Sequence, residues 1–255
     1  MVQLKTDTSI AAMRESGRVV AQVLTAVREA ATIDVTLREL DEVAREVLRE
    51  AKAGSPFLNY RPHFAPTPFP AVICTSVNDA IVHGIPTDQR LRDGDLVSID
   101  AGATLGGWAG DSAVSFTVGR ARPEDTRLID TAYAALDAGI AAAVVGNRIG
   151  DIAHAIGTVC RSAGYGIPEG FGGHGIGRSM HEDPAVPNEG RRGRGMPLRH
   201  GMVLAIEPML IAGGRDAFHP DRDGWTLRTS DGSRAAHVEH TVAITEDGPS
   251  ILTAL

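Results

Sequence analysis

The stretch "PLRHGMVLAIEP", residues 197–208, runs an apolar segment, Met202 to Ile206, straight into the carboxylate of Glu207. A near copy, "RLRDGDLVSIDA", residues 90–101, ends the same way at Asp100. An apolar run of this length bounded by turn residues reads as a buried strand. An ionised acid is rarely buried unless it is paired or holds a metal. A chain that twice leads a buried strand into an acid therefore points to a site.

The resemblance between the two stretches extends outward. "SIAAMRESGRVVAQVLTAVREAA" and "TLRELDEVAREVLREAKAG" have helical apolar spacing, the second with Gly54 as its stop. A Pro-rich loop, "RPHFAPTPFP", and the β-rich segments "AVICTSV", "DLVSIDAG" and "SAVSFTVG" follow. After a seam near residues 119–126 the order repeats. Two helical segments, "TRLIDTAYAALDAGIAAAVVG" and "RIGDIAHAIGTVCRSAGYG", lead to a Gly-rich loop, the strand "MVLAIEPML" and a final strand "HVEHTVAIT". Leu37, Leu40, Val47 and Ala51 match Ile149, Ile152, Val159 and Ala163 at one constant offset. The reading is an internal duplication of about half the chain, too long a unit for a solenoid.

Each half keeps its acids in step, Asp100 and Asp111 in the first and Glu207 and Glu239 in the second. The Gly-rich connection "AGATLGGWAG" suits a tight hairpin that brings Asp100 and Asp111 together. Four converging carboxylates repel one another unless cations are present. Two divalent ions nearly balance them, and an oxygen-rich set with an occasional imidazole suits Mn, Fe, Co or Zn.

Of nine histidines, His174 and His181 stand out in "GFGGHGIGRSMHEDP", where glycines let backbone pack closely around His174. His83 shares the triplet His-Gly-Ile with His174. His63, His154, His200, His219 and His237 read as surface or structural, and His240 as facing away from Glu239.

Composition excludes much. The 255 residues are 43% hydrophobic and 22% charged, enough for a large core. Two cysteines are too few for a disulfide framework, so a reducing cytoplasm is expected. The amino-terminal stretch has no signal-like apolar core, and no run reaches membrane-spanning length. A net charge of −7 argues against nucleic acid as main partner while leaving room for a cationic substrate such as a free amino terminus. "GFGGHG" fits the dinucleotide pattern G-x-G-x-x-G, but Pro168 stands where the strand should be, and Pro184 and Pro187 curtail a following helix. "RRGRG", residues 191–195, reads as a solvated loop in an acidic chain.

The segments "NDAIVHGIP", "VSIDAG", "GDSAVSFTVG", "GGHGIGRSMHEDP", "AIEPML" and "VEHTV" resemble, in order and spacing, the type I methionine aminopeptidases, from about Ile10 to Leu252. The resemblance implies an α/β (α+β) pita-bread fold: two pseudo-twofold-related halves whose curved antiparallel sheet is flanked by helices. It implies one catalytic domain over residues 1–255, with repeats at about 10–120 and 124–250. By matching position it makes Asp100, Asp111, His174, Glu207 and Glu239 the ligands of two divalent metal ions, with Asp111 and Glu239 bridging. It makes His83 and His181 the histidines that contact substrate at the scissile bond, and it places Phe69, Cys74 and Trp225 in the methionine pocket. Met180 stands where the family often has Phe, "FAPTPFP" replaces part of a loop that commonly supplies aromatics, and the zinc-binding extension of some eukaryotic members is absent.

The expected activity is removal of the amino-terminal methionine from peptides and nascent chains, with Glu207 as proton shuttle, by a cytoplasmic monomer. Contact of the "EGRRGRGMPLRH" loop with the ribosome stays open. An Xaa-Pro aminopeptidase or prolidase shares the ligand quintet but usually carries a large extra amino-terminal domain. A non-catalytic pita-bread module would tend to have lost ligands, and here all five residues are present.

Overall fold

Among the described residues four helices form, each on an apolar stripe and, for the first two, with a side-chain cap at the start. A computed structural model of the chain describes residues 2–62 and 65–254; His63, read as surface or structural, lies outside the described residues. Helix α1 (Asp7–Ala30) is capped by Thr6, whose hydroxyl accepts from the Ser9 amide at 3.2 Å. Helix α2 (Leu37–Glu50) opens with a capping box, Thr36 with Glu39. Helix α3 (Pro123–Ala142) starts with Pro in its first turn. Helix α4 (Ile149–Ser162) keeps only the returning half of a capping box, the Arg148 amide donating to Asp151 at 2.8 Å, since the Arg148 side chain caps nothing. Their apolar faces cover one side of a sheet, α1 and α2 over one apolar cluster, α3 and α4 over another.

The strands are β1 (Ile73–Val77), β2 (Ala80–Val82), β3 (Leu96–Leu105), β4 (Trp108–Thr117), β5 (Gly172–Gly175), β6 (Glu182–Pro187), β7 (Val203–Ile206), β8 (Met209–Ile211), β9 (Phe218–Pro220), β10 (Leu227–Thr229), β11 (Ala235–His237), β12 (Glu239–Thr245) and β13 (Gly248–Ile251). The main sheet runs β1-β3-β4-β12-β7-β5-β6, with β13 also on β12, and its pairings are antiparallel. Strands from the first part of the chain meet strands from the second where β4 lies against β12. There Glu239 stands opposite Ala113, while the Asp111 amide and carbonyl both bond the Thr241 hydroxyl, at 3.0 and 2.7 Å.

The structure corrects three boundaries and bears out one turn. Helix α2 ends at Glu50, before Gly54, because Lys52 already takes a positive φ of 54°. "MVLAIEPML" is two strands, β7 and β8, broken at Glu207-Pro208, since proline has no N–H for the ladder. "HVEHTVAIT" is likewise split between β11 and β12 at Val238, and it is not the last strand, because β13 folds back on it. The hairpin between β3 and β4 turns on Gly106 and Gly107 with φ of 58° and 74°, the two-residue geometry that glycine permits.

Candidate metal centre and substrate cavity

Sheet register brings the acids to one face. In β3 and β4, Asp100 lies opposite Ala113 and Gly102 opposite Asp111, so the two aspartates sit diagonally on the same side. Cys74 of β1 pairs with Asp100 from the other flank. On β12, Glu239 faces Ala113, which puts it in the same row as Asp100. His174 of β5 faces Ala205 of β7, and Ala205 faces Thr241. Small side chains thus stand between the larger ligating ones and leave room above the sheet. Glu207 leaves the end of β7 with its carbonyl accepting from Asn188 Nδ2 at 2.9 Å.

His174 is aimed by its neighbours. Gly173 leaves no space for a side chain, because a Cβ there would lie 2.0 Å from the Ala205 carbonyl oxygen. The His174 Nδ1–H donates to the Gly175 carbonyl at 2.9 Å, so Nε2 carries the lone pair. That Nε2 lies 3.7 Å from Asp111 Oδ2 and 3.7 Å from Glu207 Oε1. Donor atoms of Asp111, His174 and Glu239 all lie within 4.8 Å of one another.

Burial without partners defines the electrostatics. Asp111 is 3% exposed and Glu239 2%. Asp100 Oδ1, Asp111 Oδ1 and Glu239 Oε1 are buried with no hydrogen-bond partner among the described residues. Such oxygens carry a large desolvation cost. Burial, opposed by the charge of His237, lifts Asp100 to about 7. Burial and then the Asp100 charge push Asp111 well up, while burial and then the Asp111 charge do the same to Glu239. A divalent cation relieves both burdens at once, supplying partners for the orphaned oxygens and opposite charge for the cluster. The residues present therefore fit a metal, with carboxylates and one imidazole as donors.

Above the acids lies a cavity of about 350 Å³. All eleven residues singled out in the sequence line it: Asp100, Asp111, His174, Glu207 and Glu239; His83 and His181; and Phe69, Cys74, Met180 and Trp225. His83 holds a positive φ of 60°, uncommon outside glycine and suited to a constrained functional position. Its ring meets the Trp225 ring edge-on, centroids 6.3 Å apart. His181 packs at 4.3 Å from the His174 ring and stacks on Tyr60 at 5.3 Å. Burial lowers His83 to about 4; desolvation in the cleft, and then the neighbouring His174 ring, lower His181 to about 4, so both are neutral near pH 7. Phe69 meets Trp225 edge-on at 5.1 Å, and the Trp225 indole N–H donates to the Thr67 carbonyl at 3.0 Å. Burial, followed by the Asp100 charge, pushes the Cys74 thiol well up, which keeps it a neutral apolar wall. A larger hollow of about 800 Å³ lies behind the sheet between α1 and α3, away from these acids.

The sequence reading missed several residues. Phe57, Tyr60, Phe171 and Met209 also line the cavity. They come from loops and strand starts, where no periodicity marks them. His237 corrects its reading as a residue without context: it is 2% exposed and its Nε2 lies 3.3 Å from Glu207 Oε2 and 3.9 Å from Glu239 Oε2. A period-two count from Glu239 would have put it on the same face. Among the others, His200 lies 3.3 Å from Asp7, His154 and His219 are exposed, and His240 turns away to Thr253 at 2.9 Å.

Comparison with known proteins agrees with this geometry. The model of metallopeptidase family M24 matches residues 11–246. Methionine aminopeptidase 1 of Mycobacterium tuberculosis is 53% identical over 249 residues, covering 95% of this chain and 91% of the relative. A methionine aminopeptidase of Clostridium acetobutylicum is 45% identical, covering 99% of both chains. The crystal structure of the Thermotoga maritima methionine aminopeptidase superposes with a TM-score of 0.95 at 37% identity, covering 100% of both chains. Prolidase from Pyrococcus furiosus, with a TM-score of 0.78 at 22% identity over 99% of this chain and 65% of that one, shares the fold alone. The expected pita-bread architecture is the one observed, and with nearly the whole sequence matched the chain belongs to metallopeptidase family M24, among its methionine aminopeptidases.

Proposed function

We propose that this chain removes the amino-terminal methionine from peptides and nascent proteins by metal-assisted hydrolysis. The observation that carries the reading is the set of orphaned, buried carboxylate oxygens at the base of an aromatic-lined cavity. Asp100, Asp111, His174, Glu207 and Glu239 would hold two divalent ions. Divalent ions bound there supply Lewis acidity toward the scissile carbonyl and make water more acidic.

The chain's own residues do the rest. Glu207 takes the proton from the attacking water and delivers it to the leaving amine. His83 and His181 hydrogen-bond the substrate and the oxyanion that develops on the carbonyl. The acidic cluster attracts the free α-amine and so restricts cleavage to chain termini. Phe69, Cys74, Met180 and Trp225 form a soft wall for an unbranched thioether, whose sulfur packs well on aromatic rings. A single catalytic domain of two related halves, acting as a cytoplasmic monomer, accompanies this reading; both cysteines are free and buried, as a reducing compartment allows. Among the described residues no helix is long and apolar enough to cross a membrane. If nascent chains are met at the ribosome, the exposed basic loop 191–195 is the element available for contact.

The test is a peptide-library assay on purified protein reconstituted in turn with Mn, Co, Fe(II) and Zn. Met-Ala-X peptides should be cleaved in preference to Ala-Pro-X peptides, and the active metal series should name the physiological candidate. Preferential cleavage of the proline bond would establish the prolidase-like reading instead. No bound divalent ion and no turnover with any metal would leave a non-catalytic binding module.

A further inference from the structure

His237 is not among the residues that carry the proposed reaction, yet it is locked beneath them. Its amide donates to Ser115 Oγ at 3.0 Å and lies 3.2 Å from Ser98 Oγ. Its carbonyl accepts from Ser115 Oγ at 2.7 Å, and the two serine hydroxyls bond each other at 2.8 Å. On the opposite flank β11 pairs with β8, with His237 facing Met209. The backbone is thus fixed from both sides, and the imidazole has little choice of direction. Its Nε2 is buried and makes no aligned hydrogen bond among the described residues. The acid oxygens near it are Glu207 Oε2 at 3.3 Å and Glu239 Oε2 at 3.9 Å.

Glu207 therefore lies between two imidazoles. Oε1 faces His174, whose Nε2 is the bare nitrogen, and Oε2 faces His237. We infer that His237 is the positioning residue of Glu207: its Nε2–H engages Oε2 and leaves Oε1 for the metal that His174 shares. The inference rests on the proposed metallopeptidase reading and deepens it. A carboxylate free to rotate would offer either oxygen, or both, to the metal. Anchoring one oxygen fixes a single binding mode and a single site for proton transfer, as orienting partners of ligating carboxylates do. The Glu207 backbone is pinned independently by Asn188, so His237 acts on the carboxylate alone.

The experiment compares wild type, His237→Gln and His237→Leu, each loaded with Co(II). Gln keeps a donor at about the same reach, whereas Leu keeps volume without one. Three readouts are taken: Co(II) affinity by calorimetry, the visible absorption of the bound Co(II), and kcat against KM on a Met-Ala peptide. His237→Leu should weaken Co(II) binding roughly 10–100-fold, alter the absorption bands and lower kcat with little change in KM. His237→Gln should recover most of all three. A wild-type spectrum and affinity in His237→Leu would reduce His237 to filler and overturn the inference while leaving the metallopeptidase reading intact. Equal damage in both variants, with loss of an exchangeable hyperfine-shifted imidazole proton in the NMR spectrum of the Co(II) protein, would make His237 a ligand and likewise overturn it. Failure of wild type itself to bind Co(II) or cleave methionine would remove the reading on which the inference stands. Melting of the metal-free variants shows whether His237→Leu still folds, and if it does not, His237→Asn, a donor too short to reach, replaces it.

Discussion

At the residue scale the decisive feature is that the acids are poorly satisfied by protein alone. In the metal-free chain Asp100 is lifted from 3.8 to about 7, and Asp111 and Glu239 are raised as well. A carboxyl whose folded value lies above its unfolded one favours folding while protonated. That contribution is complete below the unfolded value and is lost as pH rises through the folded one. Metal-stripped protein should therefore lose melting temperature as pH rises from about 4 to about 8, and saturating Mn or Co should remove most of that slope. Asp111→Asn should flatten the slope in the stripped protein; an unchanged slope would show that these acids are already relieved some other way. For Glu207 the expectation is kinetic. Glu207→Gln should cut kcat on a Met-Ala peptide by about 10²–10⁴-fold, with bound metal verified by elemental analysis, and wild-type turnover would end the proton-shuttle role. The acids were legible in the sequence because an apolar strand ending in a carboxylate conflicts with ordinary burial. His237 was less so, because the period-two spacing from Glu239 gives only its face, and its contact with Glu207 arises only when β11 is folded against it.

At the element scale, the segment ahead of α1 steadies the turn that carries His181. Lys5 is buried and its Nζ lies 2.6 Å from Glu182 Oε2, while Glu182 Oε1 accepts from the Ser179 amide at 3.1 Å. Burial opposes ionisation of Glu182, yet its bonds to Lys5 and Ser179 outweigh that and hold it below its ordinary value. The sign is opposite to that of the metal-site acids: this contribution is present above the unfolded value and is lost as pH falls through the folded one. Removing one partner of such a pair strands the other, so Lys5→Met should cost about 3–5 kcal/mol of stability, with the loss shrinking in acid. Denaturant melts of both proteins at neutral and acid pH measure it, and equal stability at neutral pH would show that the pair is cosmetic. Neither Lys5 nor Glu182 could be matched from the sequence, because the contact spans most of the chain. Helices α1 to α4 were legible from apolar spacing alone. The strands around Glu207 and Val238 were not cut correctly, because proline and a sheet crossover interrupt runs that look continuous.

At the scale of the whole molecule, the site is assembled across the contact between β4 and β12, so metal binding and folding of the complete sheet are one equilibrium. Asp100 and Asp111 come from one part of the chain; His174, Glu207 and Glu239 come from the other. An ion that binds only the joined sheet stabilises it by mass action, by about 2.7 kcal/mol at 100 times its dissociation constant. For a chain of this size that corresponds to a rise of roughly 5–10 °C in melting temperature. Asp111→Asn removes a charge from the centre of the seam without removing the Thr241 bonds, which use only the Asp111 backbone. Its metal-induced rise should therefore be much smaller while its metal-free fold persists. Thermal melts of both proteins across a Mn or Co series give the comparison directly. An equal rise in both would mean that the ions bind elsewhere, and that the convergence of acids from the two parts of the chain serves packing rather than metal.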